Sequence, residues 1–238
     1  MKFKLMKRLI IVFIIAFFFA CEKQIQPNLT VTGKVIGLKK GTLYLERVQD
    51  TSLVILDSMI INGQPDFVLQ TFIDEPEVLH LSLNSNSKDI PRVTFFADSG
   101  TTTIHTTLKR FLHDAKIEGS PQQDLLNSYN EMIAQFNDKN LELIKAQFEN
   151  ANDSIKLDSI GRVTDNLLKS KYRYTFNFAM TNKDSEVAPY LALSEVYDAN
   201  ITYLDTLYNV LPQNIAQSRY GKQLQEYIAA IKNDTINP

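Results

Sequence analysis

Tryptophan is absent from these 238 residues, cysteine occurs once and histidine three times. A single cysteine excludes both an intrachain disulfide and a C-x-x-C thiol-exchange pair. His80, His105 and His113 match no metal-ligand spacing and have no cysteine beside them, so a zinc centre is open only as a composite of separate strands. There is no G-x-x-x-x-G-K-[ST] and no G-x-G-x-x-G, so no phosphate cradle is signalled. There is no G-x-S-x-G either, so no nucleophile elbow is signalled. Excess positive charge is missing as well, with 25 basic residues against 27 acidic ones. That balance argues against the basic footprint of a nucleic-acid binder and against a polybasic contact with anionic lipid.

What is present begins at the N-terminus. Lys2, Lys4, Lys7 and Arg8 precede an unbroken apolar run over residues 9–20, and the sequence turns polar directly after Cys21. The run is too short for a membrane span, which takes about 20 residues. Its length, its basic flank and the small residue Ala20 are those of a secretory signal peptide. Phe18-Phe19-Ala20-Cys21 resembles the lipobox of bacterial lipoproteins, with Phe18 where that family usually has Leu. The resemblance implies that residues 1–20 are removed and that Cys21 becomes residue one, carrying a thioether-linked diacylglycerol and an N-acyl chain such as palmitate. Residues 21–28 would then be the lipidated cysteine and its tether. Each buried CH₂ contributes about 0.8 kcal/mol, so two or more chains anchor firmly. The mature chain would have no thiol, and since four basic residues lie in the removed segment it would carry 21 basic against 27 acidic residues.

The remainder divides by punctuation. Six of the eight glycines fall by position 119, whereas nine of the ten tyrosines follow position 128. Residues 29–119 read as about eight short strands of a β-sandwich or barrel. In "EVLHLSL", Leu79, Leu81 and Leu83 alternate with Val78, His80 and Ser82. "SLVILDSMII" is apolar enough to be a strand buried on both faces. Asn62-Gly63 is a turn signal. Phe67, Phe95 and Phe96 read as sandwich core. From residue 120 the period changes. Leu125, Leu126, Tyr129, Met132, Ile133 and Phe136 recur at helical steps after a Ser120 cap and Pro121. A second helix has Ile160, Val163, Leu167, Tyr174 and Phe178 as its buried stripe, with Asp153 or Ser154 as its cap. Shorter helices follow over 187–197, 203–211 and 219–231, and residues 233–238 are expected to fray. The fold class is therefore α+β: an N-terminal antiparallel β-sandwich or barrel-like domain, 29–119, followed by an all-helical region, 120–238.

Taken in order, "VTGKVIGLKKGTLYLE", Asp57-Ser58 with Asn62-Gly63 and Phe67, "FFADSG" and "IEGSPQQ" resemble a domain family of unknown function. That family is common in envelope lipoproteins of bacteroidete bacteria, where it usually precedes a thioredoxin-like thiol–disulfide oxidoreductase domain. "SEVAPYLAL" and "SRYGKQLQEYI" resemble the helices that lead into the redox domain, so the similarity extends to about residue 231. In the longer relatives the C-x-x-C domain begins about where Pro238 falls. The expectation is therefore a module without a redox centre, and no catalytic residue is carried over.

The remaining signals are local. Asp153, Asp158 and Asp165 alternate with Lys156, Arg162 and Lys169, as on a solvated helical face rather than in an acid–base pair. The tripeptide Asp, Ser or Thr, apolar recurs at 57–59, 153–155, 158–160, 205–207 and 234–236. It resembles the O-glycosylation acceptor of exported proteins in the same bacteria, which makes Ser154, Ser159, Thr206 and Thr235 candidate acceptors and the 57–59 strand the poorest one. Capping and turn chemistry generates the same tripeptide.

The function expected is that of a lipid-anchored cell-envelope protein, a non-catalytic binding or interaction module related to the N-terminal part of envelope thiol–disulfide oxidoreductases. The alternative is a periplasmic enzyme, or an accessory subunit that docks a separate thioredoxin-like protein. No cofactor, metal or nucleic acid is expected. The partners are the membrane, reached through the lipid on its periplasmic side and at the outer membrane, and an envelope protein such as a thioredoxin-like oxidoreductase.

Overall fold

The computed structural model describes residues 26–49, 52–84 and 91–236. Eight strands come first: β1 (Leu29–Ile36), β2 (Lys40–Gln49), β3 (Ser52–Asn62), β4 (Asp66–Thr71), β5 (Glu77–Asn84), β6 (Arg92–Ala97), β7 (Gly100–Thr107) and β8 (Lys116–Glu118). They form two four-stranded sheets, ordered β4-β1-β7-β8 and β3-β2-β5-β6. The helices follow: α1 (Pro121–Glu149), α2 (Ser154–Thr181), α3 (Val187–Glu195), α4 (Ile201–Val210), α5 (Gln213–Ala216) and α6 (Arg219–Ile236). The architecture is α+β, a two-sheet β region followed by helices.

Strand alternation builds the sandwich core. Leu29, Val31 and Val35 of β1, Phe67 and Leu69 of β4 and Ile104 of β7 face Leu43 and Leu45 of β2, Leu79, Leu81 and Leu83 of β5, and Val93 and Phe95 of β6. All the pairings are antiparallel except β1 with β7, which is parallel. A parallel neighbour needs a long crossover, and the excursion through the second sheet supplies it. Gly33 lies where these two strands leave no room for a side chain: a Cβ there would sit 1.8 Å from the Ile104 carbonyl oxygen.

The apolar strand β3 is not buried on both faces. It forms the free edge of the second sheet, and Leu53, Val54, Ile55 and Ile60 are exposed, Ile60 by 77%. Its composition suits a pleated backbone, but strand order, which composition does not encode, places it outside. Its polar and sulfur side chains close the edge of the other sheet instead. The Asp57 carboxylate accepts from the Gln70 N–H of β4 at 2.7 Å, and the Met59 sulfur lies 3.5 Å from the Val68 N–H. An inward charge of this kind guards strand edges against stray pairing.

Phe96 also departs from the sandwich-core reading. Adjacent strand residues point to opposite faces, so Phe95 enters the sandwich while Phe96 faces the helices. There it meets Tyr190 of α3 and Tyr220 of α6 edge-on, at centroid distances of 5.6 and 5.7 Å. The backbone of the β6 edge is satisfied by the start of α1. The Phe96 N–H donates to the Gln123 side-chain oxygen at 2.7 Å, and the Ser120 hydroxyl donates to the Phe96 carbonyl at 3.1 Å. Ser120 also accepts from Gln123 N–H as the cap of α1. The ladder of β2 on β5 ends at His80, and beyond it the Val78 N–H is taken by the Tyr220 hydroxyl at 2.8 Å. Fully buried Glu77 joins the two regions by ion pairs to Arg47 of β2 and Arg219 of α6.

The two longest helices, α1 and α2, are joined by a four-residue turn and run as antiparallel neighbours. The Tyr129 hydroxyl donates to Thr175 Oγ1 at 2.8 Å, and Thr175 in turn donates to the Lys171 carbonyl. Asp153 caps α2 by accepting from Lys156 N–H. The expected stripe of α2 is half-buried except at Val163, which is 45% exposed. The C-terminal helix continues to Ile236, beyond the expected fraying point.

Candidate functional site

A cleft of about 830 Å³ opens between α2 and the connection from α3 to α4. Lys169, Arg173 and Phe176 recur at i, i+4 and i+7, which places them on one face of α2. Val196, Asp198 and Tyr203 form the facing wall, and Leu204 is buried beneath it. Phe176 meets Tyr203 edge-to-face at 5.3 Å, and Tyr203 is half exposed. The site is thus an aromatic corner with a cationic rim.

The facing wall is held from both sides. The Tyr172 hydroxyl donates to Asp198 Oδ1 at 2.6 Å, the Tyr227 hydroxyl of α6 donates to the Tyr197 carbonyl at 2.9 Å, and Lys171 pairs with Glu195 at 3.1 Å. Asn200 caps α4 by accepting from Thr202 N–H. The hydrogen bond to Asp198, with some burial, pushes the Tyr172 phenol up to about 12. Held by this bond, the phenol braces the wall against α2. Walls lined by apolar rings, with a few convergent polar groups, make this cleft a candidate small-molecule site.

The residues singled out from the sequence lie elsewhere. Cys21 is outside the described residues. His80 lies on the outer face of the second sheet, 3.0 Å from the Thr94 hydroxyl, and burial pulls its imidazole below the ordinary value. His105 is exposed on the outer face of the first sheet, beside a shallow hollow of about 390 Å³. His113 is exposed in the turn before β8. The three do not converge, and among the described residues no cluster of His, Cys, Asp and Glu could hold a metal ion. Asp153 and Asp158 pair with Lys156 and Arg162 on the exposed surface of α2. Ser154, Ser159 and Thr206 are all exposed on helices, and Thr206 donates to the Thr202 carbonyl at 2.7 Å. Thr235 lies in the last turn of α6.

The β region and the first turns of α1 match one family model. Residues 29–126 match the model of DUF4369, a domain of unknown function. No curated protein matches the chain. The DUF4369 match runs past the last strand into α1 and takes in Ser120, Gln123 and Leu126, the residues that fasten that helix to Phe96. It stops well short of the cleft, whose residues lie between 166 and 204. The cleft therefore lies outside the matched residues, in the helical region.

Reading the sequence alone missed the cleft. One signal was available: residues 169–178, "KSKYRYTFNF", interleave cations with aromatics. In a helix this sequence serves two faces. Tyr174 and Phe178 pack on Tyr129, while Arg173 and Phe176 line the cleft.

Proposed function

We propose that this protein is a lipid-anchored, non-catalytic binding module of the bacterial cell envelope, which presents the cleft in its helical region to a ligand. The observation that carries the reading is the cleft itself, where an aromatic corner and two cationic side chains face a wall already fixed by its own hydrogen bonds. Attachment rests on the apolar run 9–20 followed by Cys21. Among the described residues no helix is long and apolar enough to cross a membrane, and the reading assigns attachment to the acylated cysteine. The protein then faces the periplasm from the outer membrane and acts without a cofactor or nucleic acid. Labelled palmitate should enter the protein in a lipoprotein-processing host and should be lost in Cys21→Ser; label retained in that variant refutes the anchor.

A second reading, an accessory subunit that docks a separate thioredoxin-like protein, is favoured by the apolar free edge of β3 at Leu53, Val54 and Ile55. Capture from membranes followed by mass spectrometry separates the two, because only docking recovers an oxidoreductase. Glycosylation at the exposed Ser154, Ser159 and Thr206, and at Thr235, belongs to the same envelope setting. An intact mass from the native host equal to that of the bare lipoprotein would end that part of the proposal.

A further inference from the structure

We infer that the cleft selects an amphiphilic anion: a molecule about 10 Å long with one carboxylate, sulfonate or phosphate group at one end of a flat apolar body. The inference rests on the binding-module reading and names its ligand class. Its length comes from the helix. Lys169 and Phe176 lie seven residues apart on α2, which at 1.5 Å per residue is about 10 Å.

The charge of the ligand follows from which cleft groups are already committed. Lys171, on a different face of the same helix, is neutralised by Glu195 at 3.1 Å. Among the described residues, Lys169 and Arg173 have no carboxylate partner. Arg173 spends one N–H on the Ser170 hydroxyl at 3.2 Å, which leaves most of its five donors free. The one carboxylate of the cleft, Asp198, accepts from the Tyr172 hydroxyl at 2.6 Å. Two cations against one engaged anion leave the rim positive. Guanidinium and ammonium donors bind oxyanions through charge-assisted hydrogen bonds, about twice as strong as neutral ones. The apolar body follows from the other end. Phe176 and Tyr203 meet edge-to-face, 5.3 Å apart with 66° between planes, and Tyr203 is 56% exposed. An open aromatic corner of this shape takes a flat ring on its uncovered faces.

The test uses the purified full-length protein with 2-naphthoate and its uncharged isostere 2-naphthamide, followed by calorimetry. The acid should bind about tenfold or more tightly than the amide, and its advantage should shrink as salt rises. A double variant, Lys169→Met with Arg173→Met, keeps the stems but removes the charges. It should bring the two affinities together. Tyr203→Ala should weaken both compounds alike. Equal binding of acid and amide, both still sensitive to Tyr203→Ala, overturns the anionic class while leaving the cleft as a binding site. An acid preference that survives the double variant likewise overturns the assignment to Lys169 and Arg173. No binding of either compound overturns the ligand class and the binding reading together.

Discussion

The sandwich and the helical region close their surfaces in different ways. In the sandwich, almost every apolar side chain pointing inward is fully covered, and two of its free edges are covered locally, β6 by the start of α1 and β4 by Asp57 and Met59 of β3. The two long helices are buried where they approach the second sheet and the shorter helices, and bare toward the turn that joins them. Leu126, Tyr129 and Ile133 are covered, whereas Leu141, Phe148 and Ile155 near the α1–α2 turn are exposed by 66, 79 and 81%. The difference lies in the number of layers. A sheet backed by a second sheet buries a whole face, but two helices alone bury only the stripe between them. Stability should therefore concentrate in the sandwich and in its junction with the helices, and fall away toward the turn.

Substitutions can break this gradient at its strongest point first. Phe96→Ala removes the ring on which Tyr190 and Tyr220 rest, and should cost about 3–5 kcal/mol in urea unfolding. A loss below about 1 kcal/mol would show that the helices hold themselves together without the sheet. Gly33→Ala comes next. The added methyl has no room beside the Ile104 carbonyl, and overpacking of this kind costs about 1–3 kcal/mol. An unchanged urea midpoint would mean that β1 and β7 can part without penalty. Tyr220→Phe keeps the packing but leaves the Val78 N–H without its acceptor, a loss of about 1–3 kcal/mol. A neutral result would indicate that water replaces the hydroxyl.

The junction also sets a pH dependence. Burial raises the Glu77 carboxyl above its ordinary value of 4.5, against the pull of Arg47 and Arg219. The folded state then holds this proton more tightly than the unfolded chain. Its contribution is complete below 4.5 and is lost as pH rises through the folded value. Glu77→Gln should flatten the decline in stability over that window. An unaltered slope would move the effect to Glu186, which burial raises in the same direction. The smallest expected effect lies at the far end of the gradient. Phe148→Ala and Ile155→Ala should each stay within about 0.5 kcal/mol of the parent, and a larger loss would show that the exposed turn is a packed part of the fold.

Signals that depend on neighbouring residues were legible in the sequence. Alternation in β5, the Ser120-Pro121 start of α1 and the Asp153 cap of α2 each rest on contacts within a few positions. Signals that depend on strand order were not. The apolar run of β3 reads the same at an edge as in the middle of a sheet, and only the pairing shows that one side of it is free. Phe96 is the intermediate case. Its separation from Phe95 follows from the pleat, but that its side is covered by helices requires residues 190 and 220 to arrive. The cleft was the least legible feature, because Arg173 and Tyr203 lie 30 positions apart and meet only through the packing of α4 on α2. Nothing in their spacing marks the pair.

The first strand lies between two partners, β4 running against it and β7 running with it, and Asn28 at its head is tied on to Thr71, Gly100 and Ile73. Tension applied to the chain ahead of residue 28 therefore acts along β1 and strains both of its ladders in shear, so that many bonds share the load and must yield together. A strand at the rim, peeled from one end, would release its bonds one after another. The fold therefore grips its leading end in the geometry that best resists being drawn out.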